Sequence, residues 1–196
     1  MRGIIGTGRV GETHSEKYAR REFERRFLLR ELPDGMTKAD PHTQITDNYI
    51  TGTRLRLRKV REPRTNEWTL KLTQKFAPDP ADFSRTLITN IYLTEYEYEV
   101  LSVFEANELR KNRYPYEHAG RTYSVDVFLG RLLGLVLAET EFATEDEMRA
   151  LEVPPFAARE VTGDVMFTGA RLVELTAEDI RRELQRRRGE GDEPQI

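Results

Sequence analysis

The stretch Glu22-Phe23-Glu24-Arg25-Arg26-Phe27-Leu28-Leu29 governs how the rest of the chain is read. Taken as a β-strand, its period of two puts Glu22, Glu24 and Arg26 on one face. Taken as the start of a helix, it is a run of solvated Glu and Arg residues, both good helix formers. The first reading implies charge inside the fold, the second an ordinary surface. This segment alone does not choose between them.

Downstream, Gln44 to Ile50, Thr53 to Val60 and Trp68 to Thr73 alternate in character. Arg54, Arg56 and Arg58 share one face, while Trp68, Leu70 and Leu72 lie opposite Thr69, Lys71 and Thr73. These are strand patterns, joined by a hairpin loop through Pro63 and Asn66. A proline-containing loop from Phe76 to Phe83 leads into Arg85 to Leu93, whose β-branched residues predict another strand. Thr94 with Glu97 forms a capping box and predicts a helix. Leu109 to Tyr116, Arg121 to Phe128 and Leu135 to Phe142 read as three further strands. Thr144 with Glu147 opens a short helix, and a last helix is expected from about Thr176 to Arg188. No internal repeat is found. At least seven short strands and few helices predict an α+β chain, mainly antiparallel, with its sheet closed or nearly closed on itself.

Of the 196 residues, 38% are hydrophobic and 33% charged. Ordinary domains run at roughly 45–50% and about 25%, so charge is expected on more than the outside. The 31 basic and 34 acidic residues nearly cancel, leaving −3, which argues against bulk binding to nucleic acid. Without cysteine, disulfides, thiolate metal sites and thiol catalysis are excluded. No stretch has the length or apolarity of a membrane span, and a cytoplasmic location is expected. Residues 1–17 read as a loose leader, 18–188 as one domain and 189–196 as a frayed tail. Within the leader, Gly6-Thr7-Gly8-Arg9-Val10-Gly11 matches G-x-G-x-x-G, but no convincing strand precedes it and no helical stripe follows, so it is set aside.

The polar faces of the expected strands carry Glu22, Glu24 and Arg26; Arg54, Arg56 and Arg58; Lys71; Lys111 and Arg113; and Glu139 and Glu141. Water outside an ordinary barrel would account for such faces. Two details favour an interior instead: few Ser, Gln or Asn residues accompany the charges, and the charges segregate. Carboxylates sit on the first and last strands and cations between them. Should those two strands lie side by side, four carboxylates would converge, raising their pKa values unless a cation held them. An all-oxygen set suits Mg²⁺ or Mn²⁺, while Arg and Lys suit phosphate oxygens.

These residues carry a resemblance to the CYTH superfamily, the triphosphate tunnel metalloenzymes. Its E-x-E-x-K strand stands here as Glu22-x-Glu24-x-Arg26. The likeness continues in order through Arg54-Leu55-Arg56-Leu57-Arg58, Thr69-Leu70-Lys71, Lys111-Asn112-Arg113, Val125-Asp126-Val127 and Glu139-Thr140-Glu141, over roughly residues 20–175. It is strongest toward short bacterial inorganic triphosphatases, and the superfamily also holds class IV adenylate cyclases. The resemblance implies an eight-stranded antiparallel barrel around a polar tunnel, with a few flanking helices. It implies Glu22, Glu24, Glu139 and Glu141 on the metal side, with Mg²⁺ or Mn²⁺, and Arg26, Arg56, Arg58, Lys71, Arg85, Lys111 and Arg113 on the triphosphate. Catalysis is expected to rest on Glu24, Lys71 and Glu139. The implied activity is metal-dependent hydrolysis of tripolyphosphate or a nucleoside or organic triphosphate. The alternative is a weakly active or inactive triphosphate- or polyphosphate-binding module. A homodimer is left open.

Departures from the family pattern accompany the likeness. Where the family's middle strand reads R-x-E-x-E, this chain has Arg85-Thr86-Leu87-Ile88-Thr89, so Leu87 and Thr89 stand at the expected carboxylates. The hallmark lysine is Arg26. Near the C-terminus, Val165, Met166 and Gly169 occupy a region where the family places a basic residue and an Asn.

Overall fold

The computed structural model describes residues 18–189; the expected leader, with its glycine motif, and the tail from residue 190 lie outside them. Among these residues eight strands form one antiparallel sheet that closes on itself. They are β1 (Arg20–Leu29), β2 (Thr43–Ile50), β3 (Leu55–Glu62), β4 (Glu67–Phe76), β5 (Arg85–Tyr92), β6 (Ala106–His118), β7 (Arg121–Phe128) and β8 (Val136–Phe142). Their order around the barrel is β5-β4-β3-β2-β6-β7-β8-β1, and pairing of β1 with β5 closes the ring. A two-residue strand, β9 (Arg159–Glu160), adds to β1 beyond the point where β5 leaves it. Closure removes the sheet edges that would otherwise invite pairing with other chains.

Short turns set the register. Ala119 and Gly120 both take positive φ, 49° and 75°, and join β6 to β7 directly. That pairing of signs is what a tight two-residue hairpin turn requires. It lets β6 run on to His118, so the strand is longer than the stretch Leu109 to Tyr116 that alternation suggests. Among the described residues four α-helices flank the barrel: α1 (Glu95–Leu101), α2 (Glu145–Ala150), α3 (Gly169–Leu172) and α4 (Ala177–Gly189). The Thr94–Glu97 capping box is present in full at α1, and the Thr144 side chain caps α2. No described helix is long and apolar enough to cross a membrane.

The barrel is inverted relative to an ordinary β-domain. Phe27, Leu29, Val125, Val127, Val136 and Ala138 point outward and form a core with Tyr114 and Tyr123, covered by Leu32, Met36, Leu151 and Phe156. A second cluster caps one end. There Leu109, Phe128 and Leu137 meet Phe167, Leu172, Val173 and Ile180 of the C-terminal segment. With apolar surface buried outside the sheet and at its end, the remaining inward positions are left to charge.

Candidate active site inside the barrel

Register fixes which residues share the interior. Glu24 pairs with Glu141 and Arg26 with Glu139 across β1 and β8. Asp126 faces Arg113 across β7 and β6, Asp47 faces Arg58 across β2 and β3, and Lys71 faces Arg58 from β4. Paired residues in an antiparallel ladder point the same way, so these side chains line one space. The first and last barrel strands do lie side by side, and the inward face of β1 carries Glu22, Glu24 and Arg26.

The carboxylates of this wall do not cluster alone; cations are interleaved with them. Arg26 donates to Glu24 at 2.9 Å and to Glu139 at 2.8 Å, and also to the Phe167 carbonyl at 3.1 Å. Lys75 Nζ lies 3.1 Å from Glu22 and 2.7 Å from Glu24. Glu141 stands at the exposed rim, where Arg20 reaches it. Among the described residues no three acidic or imidazole groups form a ready metal cage. Burial pushes the Glu139 carboxyl up, but Arg26, Lys111, Arg113 and Lys75 outweigh it and hold it well below the usual carboxylate range. The same competition, burial against Lys75 and Arg20, leaves Glu22 below its ordinary value.

The opposite wall is basic. Asp47, 1% exposed, grips Arg58 through two bonds of 2.7 and 2.8 Å and has Arg56 at 3.5 Å. Arg56 Nε is buried with no hydrogen-bond partner among the described residues. Lys71 has no carboxylate within ion-pair distance among those residues, and its Nζ lies 5.5 Å from the Tyr92 ring centroid. Burial, then the Arg58 and Arg56 charges, lower its pKa. Between the walls, Asp126 accepts two bonds of 2.7 Å from Arg113 and one from Lys111, so it orients two cations. Arg113 also reaches Glu139 at 2.8 Å. The result is a dipolar chamber, acidic along β1 and β8 and basic along β3 and β4. Open donors on the basic side are suited to a polyanion.

The expected residues Glu22, Glu24, Arg26, Arg56, Arg58, Lys71, Lys111, Arg113 and Glu139 are brought together, with Glu141 at the rim. Arg85 is not among them. It pairs with outward-facing Phe23 and binds Asp82 and Glu145 on the outer surface. The same one-residue parity corrects the reading of the middle strand. Leu87 and Thr89 pair with Phe76 and Gln74 and face out, whereas Thr86, Ile88 and Asn90 pair with Glu22, Lys75 and Thr73 and face in. The interior of β5 therefore lacks carboxylates, but at positions one residue away from those read in the sequence. Arg54, exposed over the Phe76 ring at 4.4 Å, belongs to the surface.

Sequence reasoning missed Asp47, Lys75 and Tyr49. Lys75 continues the Lys71-Thr73 alternation by one step, a signal hidden when the strand is ended at Thr73. Asp47 was masked because β2 turns its more polar-looking face, Gln44, Thr46 and Asn48, outward. Tyr49 accepts from Arg56 at 3.4 Å and abuts the C-terminal segment, where a Cβ on Gly169 would stand 2.0 Å from its hydroxyl.

Known proteins place this geometry in context. The chain is 41% identical over 95 residues to the inorganic triphosphatase of Acetivibrio thermocellus, a match covering 43% of this chain and 59% of that protein. It is 30% identical over 162 residues to the inorganic triphosphatase of Nitrosomonas europaea, covering 77% of this chain and 95% of that one. A crystal structure of an inorganic triphosphatase superposes with a TM-score of 0.53 at 26% identity, over 78% of this chain and 93% of the other. No protein-family model matches the chain.

Proposed function

The chain belongs to the CYTH-type inorganic triphosphatases, and we propose that it hydrolyses a triphosphate held inside the barrel, inorganic tripolyphosphate foremost. The observation that carries this reading is the opposition of the two walls: Lys71, Arg56 and Arg58 with free donor capacity on one side, Glu22, Glu24 and Glu139 on the other. The named relatives support hydrolysis over a binding-only module.

The donor set fits a hard divalent ion. Glu22 and Glu24 already converge on one cationic centre, the Lys75 ammonium, at 3.1 and 2.7 Å. Mg²⁺ is commonly held by one or two carboxylates together with waters and substrate phosphate oxygens, so a full protein cage is not required. Glu22, Glu24 and Glu139, with Glu141 at the rim, would hold Mg²⁺ or Mn²⁺. An ion held there would supply charge neutralisation for phosphate oxygens and polarisation of the phosphoryl group.

The chain's own cations do the rest. Lys111, Arg113 and Arg26 orient the phosphate chain. Arg56, Arg58 and Lys71 neutralise the charge that builds on the leaving pyrophosphate as water attacks the terminal phosphorus and the bridging P–O bond breaks. Arg85, on the outer surface, takes no part.

The test is phosphate release from tripolyphosphate and from ATP with Mg²⁺ or Mn²⁺, for the wild type and a Glu24→Gln, Glu139→Gln double variant. Metal-dependent release that falls about 10²-fold or more in the variant supports the reading, by the typical size of a lost electrostatic contact. Release no faster than the variant's from either substrate would sink it.

A further inference from the structure

Lys75 is the one inward cation of β4 that crosses to the acidic wall. Lys71, four residues earlier on the same face, stays among Arg56 and Arg58, but Lys75 Nζ sits between Glu22 Oε2 and Glu24 Oε2. Both carboxylate side chains are 6% exposed, while the lysine is 27% exposed. The carboxylates are thus fixed in the wall and the ammonium approaches them from the more open side. Opposite Lys75 on β5 stands Ile88, and Thr86, opposite Glu22, keeps a buried hydroxyl with no partner among the described residues. The surroundings therefore hold Lys75 chiefly through those two carboxylates, with the more distant Glu139 charge adding to them.

From this geometry we propose that Lys75 is an internal counter-ion that competes with a divalent metal for Glu22 and Glu24, and that on displacement it becomes an anchor for the phosphate chain. The inference rests on the metal-dependent reading above. Its physical basis is simple. One centre between two fixed carboxylates cannot hold an ammonium and a metal ion together, since like charges at such a distance repel. The lysine stem is flexible and carries three donors, so the ammonium can turn away from the wall without moving the backbone. With no triphosphate in the chamber, the released ammonium finds Glu139 and Asp126 already engaged by Arg26, Arg113 and Lys111. With a triphosphate present it gains new acceptors. Metal alone is then disfavoured, metal together with triphosphate is favoured, and each ligand raises the affinity for the other by the same factor. Lys75 in this role sets the order of loading and prevents the acidic wall from being filled by free metal.

The experiment is Mn²⁺ binding followed by electron paramagnetic resonance, which needs no turnover. It is run on the full chain, alone and with a non-hydrolysable imido analogue of tripolyphosphate. Lys75→Met is expected to tighten Mn²⁺ binding in the absence of the analogue by about tenfold or more, and to shrink the affinity gain that the analogue gives in the wild type. Lys75→Arg, which keeps the competing charge, should stay near the wild type. Should Lys75→Met fail to fold, the wild-type linkage alone decides: Mn²⁺ affinity that does not rise with the analogue overturns the inference. Equal or weaker Mn²⁺ binding by a folded Lys75→Met also overturns it. Absence of Mn²⁺ binding in every variant, with and without the analogue, instead sinks the metal-dependent reading on which it rests.

Discussion

Replacing Asp47 by Asn removes the one carboxylate that holds the basic wall together. Asp47 is 1% exposed and grips Arg58 at 2.7 and 2.8 Å, with Arg56 at 3.5 Å. The amide keeps the shape but leaves two guanidiniums near each other without a counter-charge. Breaking a buried pair by removing one partner costs about 3–5 kcal/mol. With a slope of about 2 kcal/mol per molar urea, the unfolding midpoint falls by roughly 1.5–2.5 M. Tripolyphosphate should return part of this loss. A ligand at a hundred times its dissociation constant stabilises by about 2.7 kcal/mol. Because Asp47 no longer competes for Arg56 and Arg58, the variant should gain more from the same ligand than the wild type does.

The pH dependence follows from the direction of the Asp47 shift. Burial pushes its carboxyl up, but Arg56, Arg58 and Lys111 prevail and hold it well below the ordinary value of 3.8. A depressed carboxylate contributes its full stability above the unfolded value and loses it as pH falls toward the folded one. The gap between wild type and Asp47→Asn should therefore stay constant from neutrality down to about pH 4 and close below it. Urea unfolding at several pH values, with and without tripolyphosphate, provides the assay. A gap under about 1 kcal/mol at pH 7, or equal stabilisation of both proteins by the ligand, would mean that Asp47 does not hold the two guanidiniums.

Two other perturbations probe separate parts of the chamber. Gly169→Ala places a Cβ 2.0 Å from the Tyr49 hydroxyl and 3.0 Å from the ring carbon that bears it. It should cost about 1–3 kcal/mol and, by moving Tyr49 off Arg56, raise KM for tripolyphosphate more than it lowers kcat. Adding Tyr49→Phe should recover part of that stability, and a strictly additive double variant would show the clash to be harmless. On β5, Ile88→Glu puts a carboxylate beside Lys75 inside the barrel, whereas Leu87→Glu buries one in the outer apolar layer, where Leu87 is 4% exposed. The Leu87 variant should be destabilised by several kcal/mol and the Ile88 variant much less, as thermal unfolding would reveal. Similar losses for both would mean that the assignment of faces is wrong.

The barrel was legible because its strands alternate and its turns are punctuated by Gly, Pro and Asn. Strand identity survives errors of up to three residues at an end, as for β6 and β4. Face identity does not. A one-residue slip in parity turned Arg85, Leu87 and Thr89 inward on paper, although the ladder sends them out. Only cross-strand register, which depends on partners distant in sequence, settles that parity. Asp47 was missed for a related reason. In an inverted barrel a strand can carry Gln and Asn outside and Ile and Tyr inside, so polarity along one strand does not reveal which face meets the chamber. The segregation of carboxylates from cations was visible, but not that Arg26 and Lys75 thread between the carboxylates. Those contacts join strands far apart in the chain, and composition carries no trace of them.

In the proposed binding mode the triphosphate sits inside the barrel against the basic wall. Calorimetric titration of tripolyphosphate into the wild type and Lys71→Met tests it most directly. Lys71 lacks a carboxylate partner among the described residues and is lowered in pKa by burial and by Arg58 and Arg56. Its loss should therefore leave the fold as stable as before while removing a phosphate contact. Affinity should fall by about tenfold or more with an unchanged melting temperature, the size expected when a charge-assisted hydrogen bond is lost. Equal affinity in the two proteins would place the binding site outside the barrel's basic wall.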